Sequence, residues 1–204
     1  MRLSPQSPKP PACGPEETEE NAQMLTWLKS SRDRRQVARS LYGSSVTAAR
    51  ARVFYAEWGV PDTLQGRFEM IALHVALALR RLGKEGVAGR RLALALTEAF
   101  VVDMDDTMRE MTFGDLAVPR EIKRATAALF DRHTAYLAAL AAPTNMSLTE
   151  ALEAQLAYLV PGGRLDGGRL SDYVQRCASA IDAQPAAQIL AGEITWPELA
   201  GPGP

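Results

Sequence analysis

The chain has 204 residues, of which 47% are hydrophobic and 23% charged, and its formal net charge is −1. That length suits one domain around one sizeable core and leaves little room for a second. So balanced a charge supplies no overall field toward nucleic acid or anionic lipid, so DNA binding is not expected and any grip on phosphate must come from a local cluster.

Five of the 13 prolines fall within the first fifteen residues, and Gly201-Pro202-Gly203-Pro204 ends the chain. Both ends therefore resist regular structure, and the expected division is a disordered proline-rich and acidic tail over 1–20, one all-α domain over 21–192 and a C-terminal tail over 193–204. Between the tails apolar residues recur at three and four, which predicts an all-α fold, a single irregular bundle of about seven helices. The first helix is predicted from about Asn21 to Tyr42, broken by Gly43-Ser44-Ser45. A second runs from Val46 to about Trp58, where Gly59-Val60-Pro61 stops it because the residue before proline is pushed out of the helical region.

A third helix is predicted from near Arg67 to Gly83 and is apolar almost all round, so it belongs at the centre. Arg80 and Arg81 lie in its last turn, where cations complement the helix dipole. The fourth starts after Gly89 and ends at Phe113-Gly114. Pro119 opens the fifth in a first turn that does not need its missing N–H. Ser147-Leu148-Thr149-Glu150 reads as a capping box for the sixth, which Pro161-Gly162-Gly163 ends. The seventh spans about Arg169 to Ala183.

The longest nearly unbroken apolar run, Met70 to Leu79, is about half of what a bilayer-crossing helix needs. Cys13 and Cys177 form no paired-cysteine motif, so a reducing compartment fits. The N-terminal stretch carries Glu16, Glu17, Glu19 and Glu20 without the apolar core of a signal peptide. The expected location is the bacterial cytoplasm, with peripheral contact at the inner face of the plasma membrane.

The densest chemical feature is the acidic group Glu98, Asp103, Asp105, Asp106, Glu110 and Asp115, with Arg109 as its one base. Asp105 and Arg109 stand four apart, as in a solvated ion pair on one helix face. The same residues superficially resemble the aspartate-rich helix with which isoprenoid synthases hold magnesium and diphosphate, which makes a magnesium-dependent isoprenoid- or quinone-handling enzyme the alternative function. Such an enzyme needs a second acidic segment, and the sequence offers none. His74 and His133 sit on or beside apolar stripes outside any metal-ligand spacing. A nucleophile elbow and a phosphate-cradling glycine loop are also missing. From Lys29 to Arg52 seven bases meet one acid, a solvated face or a contact for phosphate on RNA or lipid. Met104, Met108 and Met111 read as core packing, or as a pliable surface for apolar client segments.

The string Phe54-Tyr55-Ala56-Glu57-Trp58-Gly59-Val60-Pro61-Asp62-Thr63-Leu64-Gln65-Gly66-Arg67-Phe68-Glu69 resembles the ubiquinol–cytochrome c chaperone family. The likeness continues through Leu73-His74, Arg80-Arg81-Leu82, Asp103-Met104-Asp105-Asp106, Arg109-Glu110-Met111, Gly114-Asp115-Leu116, Lys123 and Ala135-Tyr136, a family core over about 36–142. The chain departs from the family pattern at Val118-Pro119-Arg120-Glu121, at Phe130-Asp131-Arg132 and near Ala154-Gln155. The resemblance implies an assembly factor that performs no catalysis and needs no cofactor. Its client would be newly made cytochrome b, held for assembly of the ubiquinol–cytochrome c reductase complex. A small companion assembly protein and the ribosome are the further partners the resemblance implies. The candidate partner-binding residues are Tyr55, Trp58, Arg67, Phe68, Asp103, Asp105, Asp106, Arg109, Glu110, Asp115 and Lys123.

Overall fold

A computed structural model describes residues 15–110, 117–142, 145–160 and 165–199, and among these every regular element is helical. The order is α1 (Pro15–Ala49), α2 (Arg52–Ala56), α3 (Leu64–Gly83), α4 (Gly86–Glu110), α5 (Val118–Ala141), α6 (Asn145–Leu156), a 3-10 turn (Ala157–Leu159), α7 (Gly167–Ala183) and α8 (Ala186–Leu190). The chain divides into two units, residues 1–33 and 34–204. The core, clefts and contacts described below all belong to the second.

As its sequence predicts, α3 is the centre of that unit. From Ala72 to Leu79 every residue is buried, and the helix packs against α4, α5 and α7. The α4–α5, α5–α6 and α6–α7 contacts complete the packing around it. Each fully buried Leu or Phe in that core contributes on the order of 1.5–3 kcal/mol.

Several boundaries differ from expectation for identifiable reasons. Helix α1 begins at Pro15, within the stretch expected as tail, and continues unbroken through Gly43-Ser44-Ser45 to Ala49. The hydroxyls along this stretch bond back into the helix: Ser45 donates to the Leu41 carbonyl at 2.9 Å and Thr47 to that of Gly43 at 2.9 Å. Burial of Leu41, Tyr42, Ser45 and Ala49 on one face outweighs the roughly 1 kcal/mol a glycine costs in a helix. The break falls instead at Arg50-Ala51. Helix α3 starts at Leu64, capped by the Thr63 hydroxyl, which accepts from the Gly66 N–H at 3.1 Å. Helix α4 starts at Gly86, and α6 already includes Asn145, which puts Ser147 inside the helix rather than at its cap. The expected stops at Phe113-Gly114 and Pro161-Gly162-Gly163 lie outside the described residues.

Arg80 and Arg81 close the end of α7 rather than only complementing their own helix. Arg80 donates to the Ala178 carbonyl at 2.9 Å, and Arg81 to those of Ile181 at 3.1 Å and Gln184 at 3.0 Å. These carbonyls lie in and just past the last turns of α7, where a cation also complements the helix dipole. Arg81 also pairs with Glu85, and Asp182 receives both Arg80 and Lys84.

The stretch after residue 192, expected as tail, is tied to the core as far as it is described. The Gln184 side chain bonds both the N–H and the carbonyl of Thr195, at 3.0 and 2.7 Å. Trp196 donates its indole N–H to the Ser44 hydroxyl at 2.9 Å, and that hydroxyl donates to the Ile194 carbonyl at 3.3 Å. Ile194 is buried, and the Trp196 ring centre lies 4.9 Å from that of His74.

Candidate functional site

The segment from Trp58 to Glu69 folds into a turn whose parts are fixed one by one. Gly59 takes φ of 80°, a left-handed conformation that a side chain disfavours. This lets the Val60 N–H reach back to the Phe54 carbonyl at 3.0 Å. Gly66 packs so closely that a Cβ there would lie 2.0 Å from the Pro61 carbonyl oxygen. Trp58, expected at a partner surface, is only 5% exposed. Its ring lies 5.2 Å from Phe54 and 5.9 Å from Tyr173, and its carbonyl accepts from the Asp166 N–H at 2.9 Å. Phe68 is half-buried, 6.1 Å from the Phe100 ring. Both aromatics thus belong to the packing.

Tyr55 and Arg67 come together in one cleft of about 600 Å³, lined also by Arg50, Arg52, Ala56 and Asp62. Arg67 pairs with Asp62 at 2.7 Å in the open, an interaction worth little by itself. The Tyr55 hydroxyl donates to the Ala49 carbonyl at 2.8 Å.

A second, open groove of about 660 Å³ runs between α1 and α4. Ala95, Ala99 and Val102 line it from α4 and Tyr42 and Gly43 from α1, with Arg35 and Arg39 on one side and Glu98, Asp103 and Asp106 on the other. Asp103 is already engaged, since it accepts from the Tyr42 hydroxyl at 2.7 Å and so links α4 to α1. Burial, and then that bond, push the Tyr42 phenol well above its ordinary pKa. Asp105 pairs with Arg109 at 2.7 Å, as the four-residue spacing predicts. Asp106 and Glu110 are exposed beyond it, with Val102 at 59% exposure on the same outer face. Lys123 is exposed on α5, and Asp115 lies outside the described residues. The structure therefore places Tyr55 and Arg67 in one, basic cleft and Asp103 and Asp106 in a second along α4, with Asp105, Arg109, Glu110 and Lys123 lining neither.

Two buried polar constellations escape a reading by motif. Glu69, with no exposed side-chain surface, receives both arms of the Arg132 guanidinium at 2.8 and 2.6 Å and the Tyr158 hydroxyl at 2.7 Å. This joins α3, α5 and the 3-10 turn, and the bond to Glu69 raises the pKa of Arg132 further. The second is a chain of hydrogen bonds through the core. His74 Nδ1 lies 2.7 Å from the Met70 carbonyl, which can only accept, so Nδ1 carries the proton and Nε2 accepts from the Tyr173 hydroxyl at 2.8 Å. Cys177, one turn further along α7, is wholly buried. Burial lowers the His74 pKa to about 4 and pushes the Cys177 thiol up to about 12. The signal for both was a polar residue inside an apolar stripe, Glu69 and His74 on α3 and Cys177 on α7.

The architecture is that of an all-α protein with charged clefts on a body braced by buried polar links. A family model described as Ubiquinol-cytochrome C chaperone matches residues 56–196, and the chain belongs to that family. A solved structure, the crystal structure of the Cbp3 homolog from Brucella abortus, is similar to it with a TM-score of 0.75 and 31% identity, over 86% of this chain and 96% of that one. No match is found among curated proteins. The family is the one that the Gly-Val-Pro-Asp-Thr and Gly-Arg-Phe-Glu blocks resemble. Its match extends beyond residue 142 to Trp196, where the structure ties the chain into the core.

Proposed function

We propose that the chain is an assembly chaperone that binds newly made cytochrome b and promotes its incorporation into the ubiquinol–cytochrome c reductase complex, transforming no substrate. The observation that carries the proposal is the groove between α1 and α4. It sets the apolar Ala95 and Ala99 beside an acidic edge of Glu98, Asp103 and Asp106, opposite Arg35 and Arg39, and the exposed Glu110 continues that edge one turn further along α4. An unassembled membrane protein offers matching surface, apolar segments next to cytoplasmic loops enriched in Lys and Arg. Among the described residues no three His, Cys, Asp or Glu side chains are grouped as metal ligands, and Asp105 is paired with Arg109. Both facts favour a binding role for the acidic helix over the magnesium alternative.

The charge pattern sets the test. Asp106→Asn combined with Glu110→Gln removes two exposed carboxylates without touching the Tyr42–Asp103 link. Immobilised peptides copying the Lys/Arg-rich loops of cytochrome b are expected to bind this variant about tenfold more weakly than the wild type. The difference should shrink as salt rises, because exposed charges are screened within about 10 Å at 0.1 M salt. Equal binding by the two proteins at low salt would remove the acidic edge from client capture.

A further inference from the structure

We propose that the cleft formed by Arg50, Arg52 and Arg67 is a phosphate site that seats the headgroup of an anionic phospholipid, giving the chaperone a point of attachment to the membrane surface. Three guanidinium groups line the cleft against the single carboxylate of Asp62. Asp62 is taken up by Arg67, whereas Arg50 and Arg52 are exposed and form no ion pair among the described residues. Two positive charges are thus left over in a concave space of about 600 Å³. Guanidinium groups bind phosphate oxygens through paired N–H donors, which makes such a cluster a fit for phosphate.

A lipid is favoured over a nucleic acid by the surroundings. Tyr55 is the one aromatic side chain lining the cleft, half-buried and with its hydroxyl held by the Ala49 carbonyl, whereas a single-strand binder presents several aromatic side chains on which successive bases stack. Leu64, between Asp62 and Arg67 in the chain, leaves 44% of its surface exposed. An exposed apolar side chain beside arginines is the arrangement that meets a bilayer, with the charge at the headgroups and the alkyl group at the acyl boundary. None of these residues belongs to the α1–α4 groove, so attachment here leaves the client surface free. Among the described residues no helix is long and apolar enough to cross a membrane, and a surface site of this kind needs none.

The test is co-sedimentation of the full chain with vesicles of phosphatidylglycerol and phosphatidylcholine against vesicles of phosphatidylcholine alone, with no client present. Binding is expected for the anionic vesicles and should weaken with salt. Each arginine near an anionic surface contributes about fivefold, so Arg50→Ala with Arg52→Ala should lower partitioning about 30-fold. Asp62→Asn, which frees Arg67, should raise it about fivefold. These changes in opposite directions separate the cleft from any loss of fold. Partitioning that ignores phosphatidylglycerol, or does not respond to these variants, would overturn the proposal. Arginine-dependent binding of free glycerol phosphate or of single-stranded RNA, with the vesicles left unbound, would overturn the lipid as its source.

Discussion

Arg132→Met should lower the free energy of unfolding by about 3 kcal/mol, because it strands the Glu69 carboxylate inside the protein without its cation. Glu69 has no exposed side-chain surface and Arg132 only 13%, so water cannot take over the lost bonds. The Tyr158 hydroxyl at 2.7 Å continues to donate, which places the effect at the lower end of the range for broken buried pairs. In a domain of this size such a loss shifts the melting temperature by about 9 °C. Adding Glu69→Leu to Arg132→Met should recover most of it, since removing both charges relieves the desolvation that one alone incurs. Thermal melts of the single and double variants check this directly. A single variant that melts with the wild type would show that the pair contributes nothing to stability.

The second large effect is a dependence of stability on pH through His74. Its folded pKa of about 4 lies below the ordinary histidine value of 6.5 because the ring is wholly buried. Between those two values the unfolded chain binds a proton that the folded chain does not. Stability therefore rises with pH across this window and falls as the solution is acidified. The shift corresponds to about 3 kcal/mol lost between pH 7 and pH 4. Nδ1 already donates to Met70, so a second proton must go to Nε2 and would break its acceptance from Tyr173. The measurement is urea unfolding of the wild type and of His74→Gln across this range. The variant should start less stable and lose stability more slowly, since its amide takes up no proton while the carboxylates titrate in both proteins. Parallel curves would show that His74 is not the group responsible.

The helical class, the central place of α3 and the placing of Pro119 in the first turn of α5 follow from local rules, because periodicity and proline geometry act within a few residues. What escaped was decided across the fold. Gly43-Ser44-Ser45 has the composition of a break, yet its neighbours Leu41, Tyr42 and Ala49 are buried and its hydroxyls bond within the helix or to the C-terminal strap. Ile194 and Trp196 follow a glycine in a polar context, and only Ser44 and Gln184, distant in sequence or on another element, show why they are held. The same holds for the candidate site. Asp106 and Glu110 are exposed on one helix face, where charge patterning places them. The family block around Trp58, in contrast, supplied partner-binding candidates through the resemblance, while its geometry makes it the turn between α2 and α3. In Phe130-Asp131-Arg132 the departure read from the family's aromatic-Gly-Arg pattern is Asp131, and Arg132, which keeps that pattern, is the partner Glu69 requires.

Removing the gene and recording the reduced-minus-oxidised haem b absorbance of the membranes, beside the activity of another respiratory complex, tests the assembly role most directly. Cells without the protein should lose the cytochrome bc signal selectively, and the wild-type gene should restore it far better than one carrying Asp106→Asn and Glu110→Gln. A full complement of cytochrome bc complex in cells lacking the protein would contradict the role proposed for it.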